Sequence, residues 1–265
     1  MPFATVSGTT LHYLDAGTGD PAVVLLHAFP VNAGMWQEQI AALAPRWRVV
    51  APDLPGFGQS PAAPDGEATI DGWADRVAEL IGSLGLGPVA VLGLSMGGYV
   101  AFSLLRRHPH LVAGLVLADT RAAADSPEVL QRRTDQQQKV ADGKVDEVFE
   151  AQVGTLLSEE TKAQRPDVVE RVRALMTSTP PDTVVAALEA MKHRADATGE
   201  LGGIEVPVLV LVGEHDGPSP PDVARSMAEA VPNGRLEVLP GAGHLSNLEA
   251  PEAFNRALQS FLSGL

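Results

Sequence analysis

Aliphatic runs alternate with amphipathic stretches through most of this chain, and that alternation limits the folds open to it. The runs over 22–26, 89–92 and 207–212 are almost continuously apolar, which is typical of strands buried on both faces of a parallel sheet. Strands that alternate with helices build a mostly parallel sheet covered by helices on both sides. The sequence therefore predicts a doubly covered α/β fold. The expected strands are 5–13, 22–26, 47–51, 88–92, 113–118, 207–212 and 236–239, and the expected helices are 33–44, 70–84, 97–107 and 251–262.

Residues 121–200 interrupt this alternation. They contain no aliphatic run of strand length, and they carry half of the charged residues of the chain, including all of its lysines. Apolar residues recur there at helical spacing; examples are Val168, Val169, Val172 and Leu175. We therefore expect a helical insertion over 121–200, acting as a mobile cap, within a main domain formed by residues 1–120 and 201–265.

A Gly-x-Ser-x-Gly pentapeptide stands at the junction of a predicted strand and a predicted helix. It comprises Gly93, Leu94, Ser95, Met96 and Gly97. A chain that reverses so sharply presses backbone against backbone, and glycine removes the Cβ atoms that would clash. A serine held on such a turn projects its hydroxyl away from the sheet. Ser95 is the predicted nucleophile.

A nucleophilic serine needs a neighbouring base, and His244 is the best candidate. It lies in a glycine-rich loop after the predicted strand 236–239 and before the helix that begins at Pro251. The alternative interpretation is that His244 only caps this last helix. Other histidines have simpler structural interpretations, because they lie within a strand, at a helix end, in a charged helix or between two acids; they are His12, His108, His110, His193 and His215.

The acid that orients the base should also follow a core strand. Asp216 follows the buried run 207–212 and is the first choice, because a buried carboxylate that accepts a hydrogen bond from the imidazole fixes its tautomer and stabilises the imidazolium. Glu214 is the near alternative. Asp119, which follows the apolar run 115–118, is a second alternative, although we expect it to bind backbone groups of a neighbouring loop.

These segments together resemble the α/β-hydrolase family. His27-Ala28-Phe29-Pro30 matches the first oxyanion loop of that family, and the serine turn, Asp216 and His244 follow in the family's order. The resemblance implies an α/β-hydrolase fold with an inserted helical cap, a Ser95-Asp216-His244 triad, and an oxyanion hole formed by the backbone N–H groups of Phe29 and Met96. Ala28 departs from the family, which usually has glycine there, and its methyl group narrows the available dihedrals.

The segment 53–60 also resembles the family and is predicted to be structural. It contains a Gly-x-Gly sequence, but Pro61 occupies the position of the third glycine of a Gly-x-Gly-x-x-Gly dinucleotide-binding loop, and no helix is predicted directly after it. A phosphate-binding role is therefore disfavoured.

Candidates for the substrate pocket are apolar residues next to the catalytic positions, Phe29, Met96 and Leu245, together with Leu188 and Met191 of the insertion. For the insertion residues the alternative is plain packing of the cap on the main domain. An apolar acyl or alkyl group is the natural occupant of such a pocket.

The predicted function is hydrolysis of a small-molecule carboxylic ester through an acyl-enzyme, with no metal and no organic cofactor. The resemblance also permits an enol-lactonase or a cofactor-free haloperoxidase that makes peracids by perhydrolysis, because the pocket and not the triad separates these activities. A hypothesis of another class is a noncatalytic ligand receptor on a hydrolase scaffold, which loss of a triad member would favour.

Charge and hydropathy exclude several other classes. The net charge of −14 gives no basic face for nucleic acid, and it repels acidic substrates at long range unless a local arginine overrides the repulsion. No apolar segment is long enough to span a membrane, and no signal sequence is evident, so we expect a cytoplasmic protein. The chain has no cysteine, which removes disulfides and thiolate sites from consideration. The oligomeric state stays open.

Overall fold

An eight-stranded sheet forms the centre of the computed structural model, which describes residues 2–63 and 66–265. The strand order is β1-β2-β4-β3-β5-β6-β7-β8; β1 with β2 and β2 with β4 pair antiparallel, and the other neighbours are parallel. The strands are β1 (Phe3–Val6), β2 (Thr9–Ala16), β3 (Val23–Leu26), β4 (Val49–Pro52), β5 (Val89–Leu94), β6 (Val112–Ala118), β7 (Val208–Gly213) and β8 (Gly234–Leu239).

Helices cover this sheet, and every residue of β3, β4, β5 and β7 is buried. The helices are α1 (Gln37–Leu43), α2 (Ile70–Ser83), α3 (Met96–Arg107), α4 (Pro127–Ala141), α5 (Val145–Leu156), α6 (Glu159–Gln164), α7 (Pro166–Thr177), α8 (Pro181–Lys192), α9 (Pro221–Ala230), α10 (Ser246–Glu249) and α11 (Pro251–Leu262). The predicted mostly parallel, doubly covered α/β fold is confirmed.

The amino-terminal strand prediction is wrong in extent. Instead of one strand over 5–13, the chain turns at Ser7 and Gly8, whose φ angles are +41° and +81°, and pairs β1 with β2 as a hairpin. Glycine adopts a positive φ without strain, so Gly8 is the residue that permits the reversal.

Five helices, α4 to α8, lie between β6 and β7, and residues 121–200 contain no strand. Proline occupies the first position of α4, α7 and α8, where its missing N–H costs no helical hydrogen bond. Buried side chains of these helices, such as Val172 and Val184, belong to the same apolar core as the sheet. The insertion therefore shares the core of the main sheet. Within the described residues, no helix is long and apolar enough to cross a membrane.

Candidate active site

Ser95 lies on a sharp turn between β5 and α3. Its backbone has φ +54° and ψ −114°, a left-handed conformation that L-residues rarely adopt. A Cβ on Gly93 would lie 2.2 Å from the carbonyl oxygen of Gly97, and one on Gly97 would lie 2.1 Å from that of Leu26. Only glycine fits at these two positions, which explains the predicted motif in physical terms.

Three predicted catalytic side chains meet above the carboxyl ends of the strands. His244 Nε2 lies 2.8 Å from Ser95 Oγ, and His244 Nδ1 lies 2.8 Å from Asp216 Oδ1. Asp216 and His244 are buried. The carboxylate of Asp216 accepts a hydrogen bond from Nδ1–H, which leaves Nε2 of His244 unprotonated and able to accept the proton of the serine hydroxyl. This is the order of groups that nucleophilic catalysis by serine requires.

The alternative acids lie elsewhere. Glu214 is exposed and accepts a hydrogen bond from the backbone N–H of Gly241 at 3.0 Å. Asp119 is fully buried and accepts hydrogen bonds from the backbone N–H of Gly213 at 2.9 Å, and from the backbone and hydroxyl of Ser246. Asp119 thus ties the end of β6 to the end of β7 and to α10.

Burial raises the pKa of Asp119 well above its ordinary value, and the neighbouring negative charge of Asp216 raises it further. The hydrogen bonds from Gly213 and Ser246 act in the opposite direction and are outweighed. The raised pKa means that Asp119 keeps its proton to higher pH than an ordinary carboxyl group does.

Two backbone N–H groups are available for an oxyanion. Met96 is the first residue of α3, where a helix leaves its N–H groups without an intrahelical acceptor, and the positive end of the helix dipole points at the same place. Within residues 2–63 and 66–265, the backbone N–H groups of Met96 and Phe29 donate to no acceptor. Ala28 is buried and is not among the described residues with positive φ, so the methyl group that replaces the family's glycine causes no strain.

A cavity of about 370 Å³ opens above Ser95 and His244. Phe29 and Met191, two of the candidate pocket residues, line this cavity. Met96, Leu188 and Leu245 do not line it, which corrects the expectation for these three residues. Their side chains are fully buried in the apolar core. A position next to a catalytic residue does not reveal where the side chains of Met96 and Leu245 point, and helical spacing does not reveal what the buried face around Leu188 packs against.

The rest of the cavity wall consists of residues that sequence reasoning did not single out. Tyr99 lies one turn after Ser95, and Arg121 follows the carboxyl end of β6, so position after a core strand was an available signal for Arg121. The remaining wall comes largely from α4 and α5. No spacing in the sequence reveals which faces of these two helices look into the cavity.

The segment 53–60 is held as a structural loop. Asp53 is buried and accepts hydrogen bonds from the backbone N–H groups of Ala33 at 2.8 Å and Gln59 at 2.9 Å, and its other contact is His12 Nδ1 at 2.7 Å. The carboxylate of Asp53 is therefore directed into the protein, where it holds neighbouring segments together. Residues 2–63 and 66–265 contain no group of three or more His, Asp or Glu side chains arranged to hold a metal ion.

Comparisons with known proteins agree with this geometry. The sequence profile of the alpha/beta hydrolase fold family matches residues 21–251. A solved esterase from Thermogutta terrifontis is 38% identical, with 100% of this chain and 99% of that chain covered and a TM-score of 0.95. The enol-lactonase from Burkholderia xenovorans LB400 is 31% identical, with coverage of 99% and 100% and a TM-score of 0.91. The pimeloyl-[acyl-carrier protein] methyl ester esterase of Neisseria meningitidis is 32% identical over 254 residues, with coverage of 92% and 94%. The chain belongs to the α/β-hydrolase family.

Proposed function

We propose that this protein hydrolyses carboxylic esters of small molecules through an acyl-enzyme on Ser95. The observation that carries the proposal is the pair of 2.8 Å contacts joining Ser95, His244 and Asp216 at the floor of a cavity. A serine on a strained turn with a base already in hydrogen-bond range is arranged for attack on a carbonyl carbon.

The steps follow from the position of each atom. His244 Nε2 takes the proton of Ser95 Oγ as Oγ attacks the ester carbonyl, and Asp216 stabilises the imidazolium that forms. The oxygen of the tetrahedral intermediate accepts hydrogen bonds from the N–H groups of Phe29 and Met96, which the protein holds in place before the reaction. His244 then protonates the leaving alcohol. Water attacks the acyl-enzyme with the same base, and the acid is released.

Lactones are a second candidate substrate, since opening a lactone breaks the same acyl–oxygen bond. The 31% identity to the enol-lactonase over almost the full length of both chains supports this alternative. We further propose that residues 121–200 act as a cap over the site, because α4 and α5 supply much of the cavity wall. On this proposal the cap sets which acyl groups fit, and the triad is common to all of them.

The test uses a short p-nitrophenyl ester and an alkyl phosphonate. Ser95→Ala should lower kcat by on the order of 10⁶, because members of a catalytic unit act together. Ser95 Oγ of the parent protein should displace the leaving group of the phosphonate, so the mass of the phosphonyl group should appear on the parent protein and not on this variant. Ser83→Ala removes an exposed hydroxyl from α2 and serves as the matched control, with full activity expected. Substantial turnover by folded Ser95→Ala would rule out the mechanism.

A further inference from the structure

The cavity above Ser95 is more positive than the chain as a whole. Its wall includes four cationic side chains and two carboxylates, in a protein whose net charge is −14. The cations are Arg121, Arg132, Arg133 and Lys139, and the carboxylates are Asp125 and Asp135. A low-dielectric concave wall strengthens the field of such charges, so a local cationic surface can attract an anion that the rest of the molecule repels.

Arg121 has no partner for its charge. Among residues 2–63 and 66–265, no carboxylate and no hydrogen-bond acceptor contacts its guanidinium, although the residue is half-buried. The same holds for Arg132, which is exposed on α4. By contrast Arg171, Arg173 and Lys192, cations of the insertion outside this cavity, each contact a glutamate. A guanidinium that faces the cavity and has no anionic partner among the described residues is available to the anion of a ligand.

Of the two carboxylates in the cavity wall, the one nearer to Arg121 in sequence is already engaged. Asp125 contacts Arg133 Nε and Arg194 Nη1, each at 2.6 Å. Burial opposes ionisation of Asp125, but the two arginines outweigh burial and lower its pKa. The single negative charge of Asp125 therefore balances only one of the two positive charges of Arg133 and Arg194, and it cannot also neutralise Arg121. Asp135 is exposed and accepts a hydrogen bond from Gln131 Nε2 at 2.8 Å.

The backbone fixes Arg121 close to the nucleophile. Its neighbour Thr120 donates a hydrogen bond from Oγ1 to the carbonyl oxygen of Ser95 at 2.8 Å, and Arg121 shares the cavity wall with Ser95 and His244. From these observations we propose that the cavity selects esters carrying a carboxylate, and that Arg121 binds this carboxylate while Arg132 attracts it from the rim. The inference rests on the proposed ester hydrolysis and names the substrate class of the same site.

Arginine suits this role because its planar guanidinium presents paired N–H donors that match the two oxygens of a carboxylate. An arginine at this place is a specificity-determining residue. It takes no proton and forms no bond in the reaction, so it should act on substrates that carry the anion and leave uncharged esters unaffected.

Two methyl esters of equal length test the inference: monomethyl glutarate, which ends in a carboxylate, and methyl pentanoate, which ends in a methyl group. Initial rates in a pH-stat give kcat/KM for each. The parent protein should prefer monomethyl glutarate. Arg121→Gln should lower kcat/KM for monomethyl glutarate about 10- to 100-fold, mainly through KM, because a charged hydrogen-bonded contact is lost. The value for methyl pentanoate should be nearly unchanged.

Arg235→Gln is the matched control. It removes the same charge from an exposed arginine at the start of β8, away from the carboxyl ends of the strands, and should leave the preference intact. Arg132→Gln should lower the preference by a smaller factor that disappears as salt is raised, since an exposed charge is screened. Arg121→Lys should restore part of the lost preference.

Several outcomes would overturn the inference: equal loss on both esters in Arg121→Gln, no loss on either, or a parent protein that prefers methyl pentanoate. If Arg121→Gln does not fold, the test is whether glutarate inhibits hydrolysis of methyl pentanoate by the parent protein. We expect competitive inhibition that weakens as salt is raised. Absence of inhibition would refute the inference. Failure of the proposed function is distinct, because the parent protein would then hydrolyse neither ester, or Ser95→Ala would hydrolyse both.

Discussion

Replacing Asp216 by asparagine should isolate the effect of one buried charge on catalysis. Asp216 Oδ1 accepts two hydrogen bonds, one from His244 and one from the backbone N–H of Ser219 at 2.8 Å. An amide nitrogen in that position would face the N–H of Ser219, so the asparagine must keep its oxygen there. His244 then retains its orientation and tautomer, and only the negative charge is missing.

The magnitude follows from Coulomb's law. A carboxylate and an imidazolium whose charge centres are about 4 Å apart attract by roughly 4 kcal/mol at an effective dielectric constant of about 20. Each tenfold change in rate corresponds to about 1.36 kcal/mol, so Asp216→Asn should lower kcat about 10³-fold. Asp216→Ala also removes the orienting contact and should cost more. The asparagine should lower the melting temperature too, because no group of residues 2–63 and 66–265 pairs with the buried Oδ2 of Asp216, and the amide N–H₂ group would take that place.

Asp119→Asn is the matched variant at the alternative acid. Asp119 binds Gly213 and Ser246, whereas His244 Nδ1 contacts Asp216, so kcat should change by less than about tenfold in Asp119→Asn. A raised pKa means that the stability contributed by Asp119 is fully present below the unfolded value near 3.8 and is lost as pH rises. Relative to the parent protein, Asp119→Asn should therefore gain melting temperature between pH 4 and pH 7.

Stopped-flow or steady-state hydrolysis of a p-nitrophenyl ester by the three variants measures these effects, with calorimetry for stability. A nearly inactive Asp119→Asn beside an active Asp216→Asn would reverse the assignment of the acid. A loss far above 10³-fold in Asp216→Asn would refute the claim that Ser219 preserves the tautomer.

Two further predictions concern the insertion and a buried histidine. Leu188→Ala should lower the free energy of unfolding by about 2–5 kcal/mol, because the side chain is fully buried in the core, and it should leave the ratio of kcat/KM between long and short acyl esters unchanged. Met191→Ala enlarges the cavity and should shift that ratio by about 1–3 kcal/mol. If both variants, assayed well below their melting temperatures, gave the same ratio, Met191 would not belong to the cavity wall. Burial lowers the pKa of His27, and Nε2 of this histidine accepts a hydrogen bond from the backbone N–H of Leu54. The stability that neutral His27 contributes is therefore present above the unfolded pKa of 6.5 and is lost as pH falls, by up to about 1.4 kcal/mol per pH unit. Melting between pH 7.5 and 5 should be less pH-dependent in His27→Gln than in the parent or in His110→Gln, and parallel curves would refute this assignment.

The central strands were predictable because burial on both faces leaves a continuous aliphatic run that few helices share. The candidate triad was predictable for a related reason: parallel strands end at one edge, so Ser95, Asp216 and His244, each placed after such a run, converge without any knowledge of their partners. The serine turn was also predictable from local sequence, because a Cβ atom at Gly93 or Gly97 would clash with the backbone of a tight strand-to-helix turn.

What the sequence did not predict depends on contacts between distant segments. Whether Leu188 faces the cavity or the core is decided by helices packed around it, and the periodicity of α8 is the same in both cases. The reversal at Ser7 needs a left-handed φ at a residue type that rarely adopts one, so a continuous strand was the natural expectation. That Arg121 has no carboxylate partner among the described residues can be established only once the positions of the neighbouring carboxylates are known.

The contacts of the histidine loop limit how the insertion can move. The carbonyl oxygen of Leu156, at the end of α5, accepts hydrogen bonds from the backbone N–H groups of His244 at 2.9 Å and Leu245 at 3.2 Å. Glu249 joins the same two segments, because its carboxylate accepts from Ser158 at 2.9 Å and from Gly243 at 3.0 Å. A cap that lifted as one body would either break these bonds or carry His244 away from the nucleophile. We therefore expect substrate to enter while the end of α5 stays in place, because the backbone of Leu156 helps to hold the loop that carries His244.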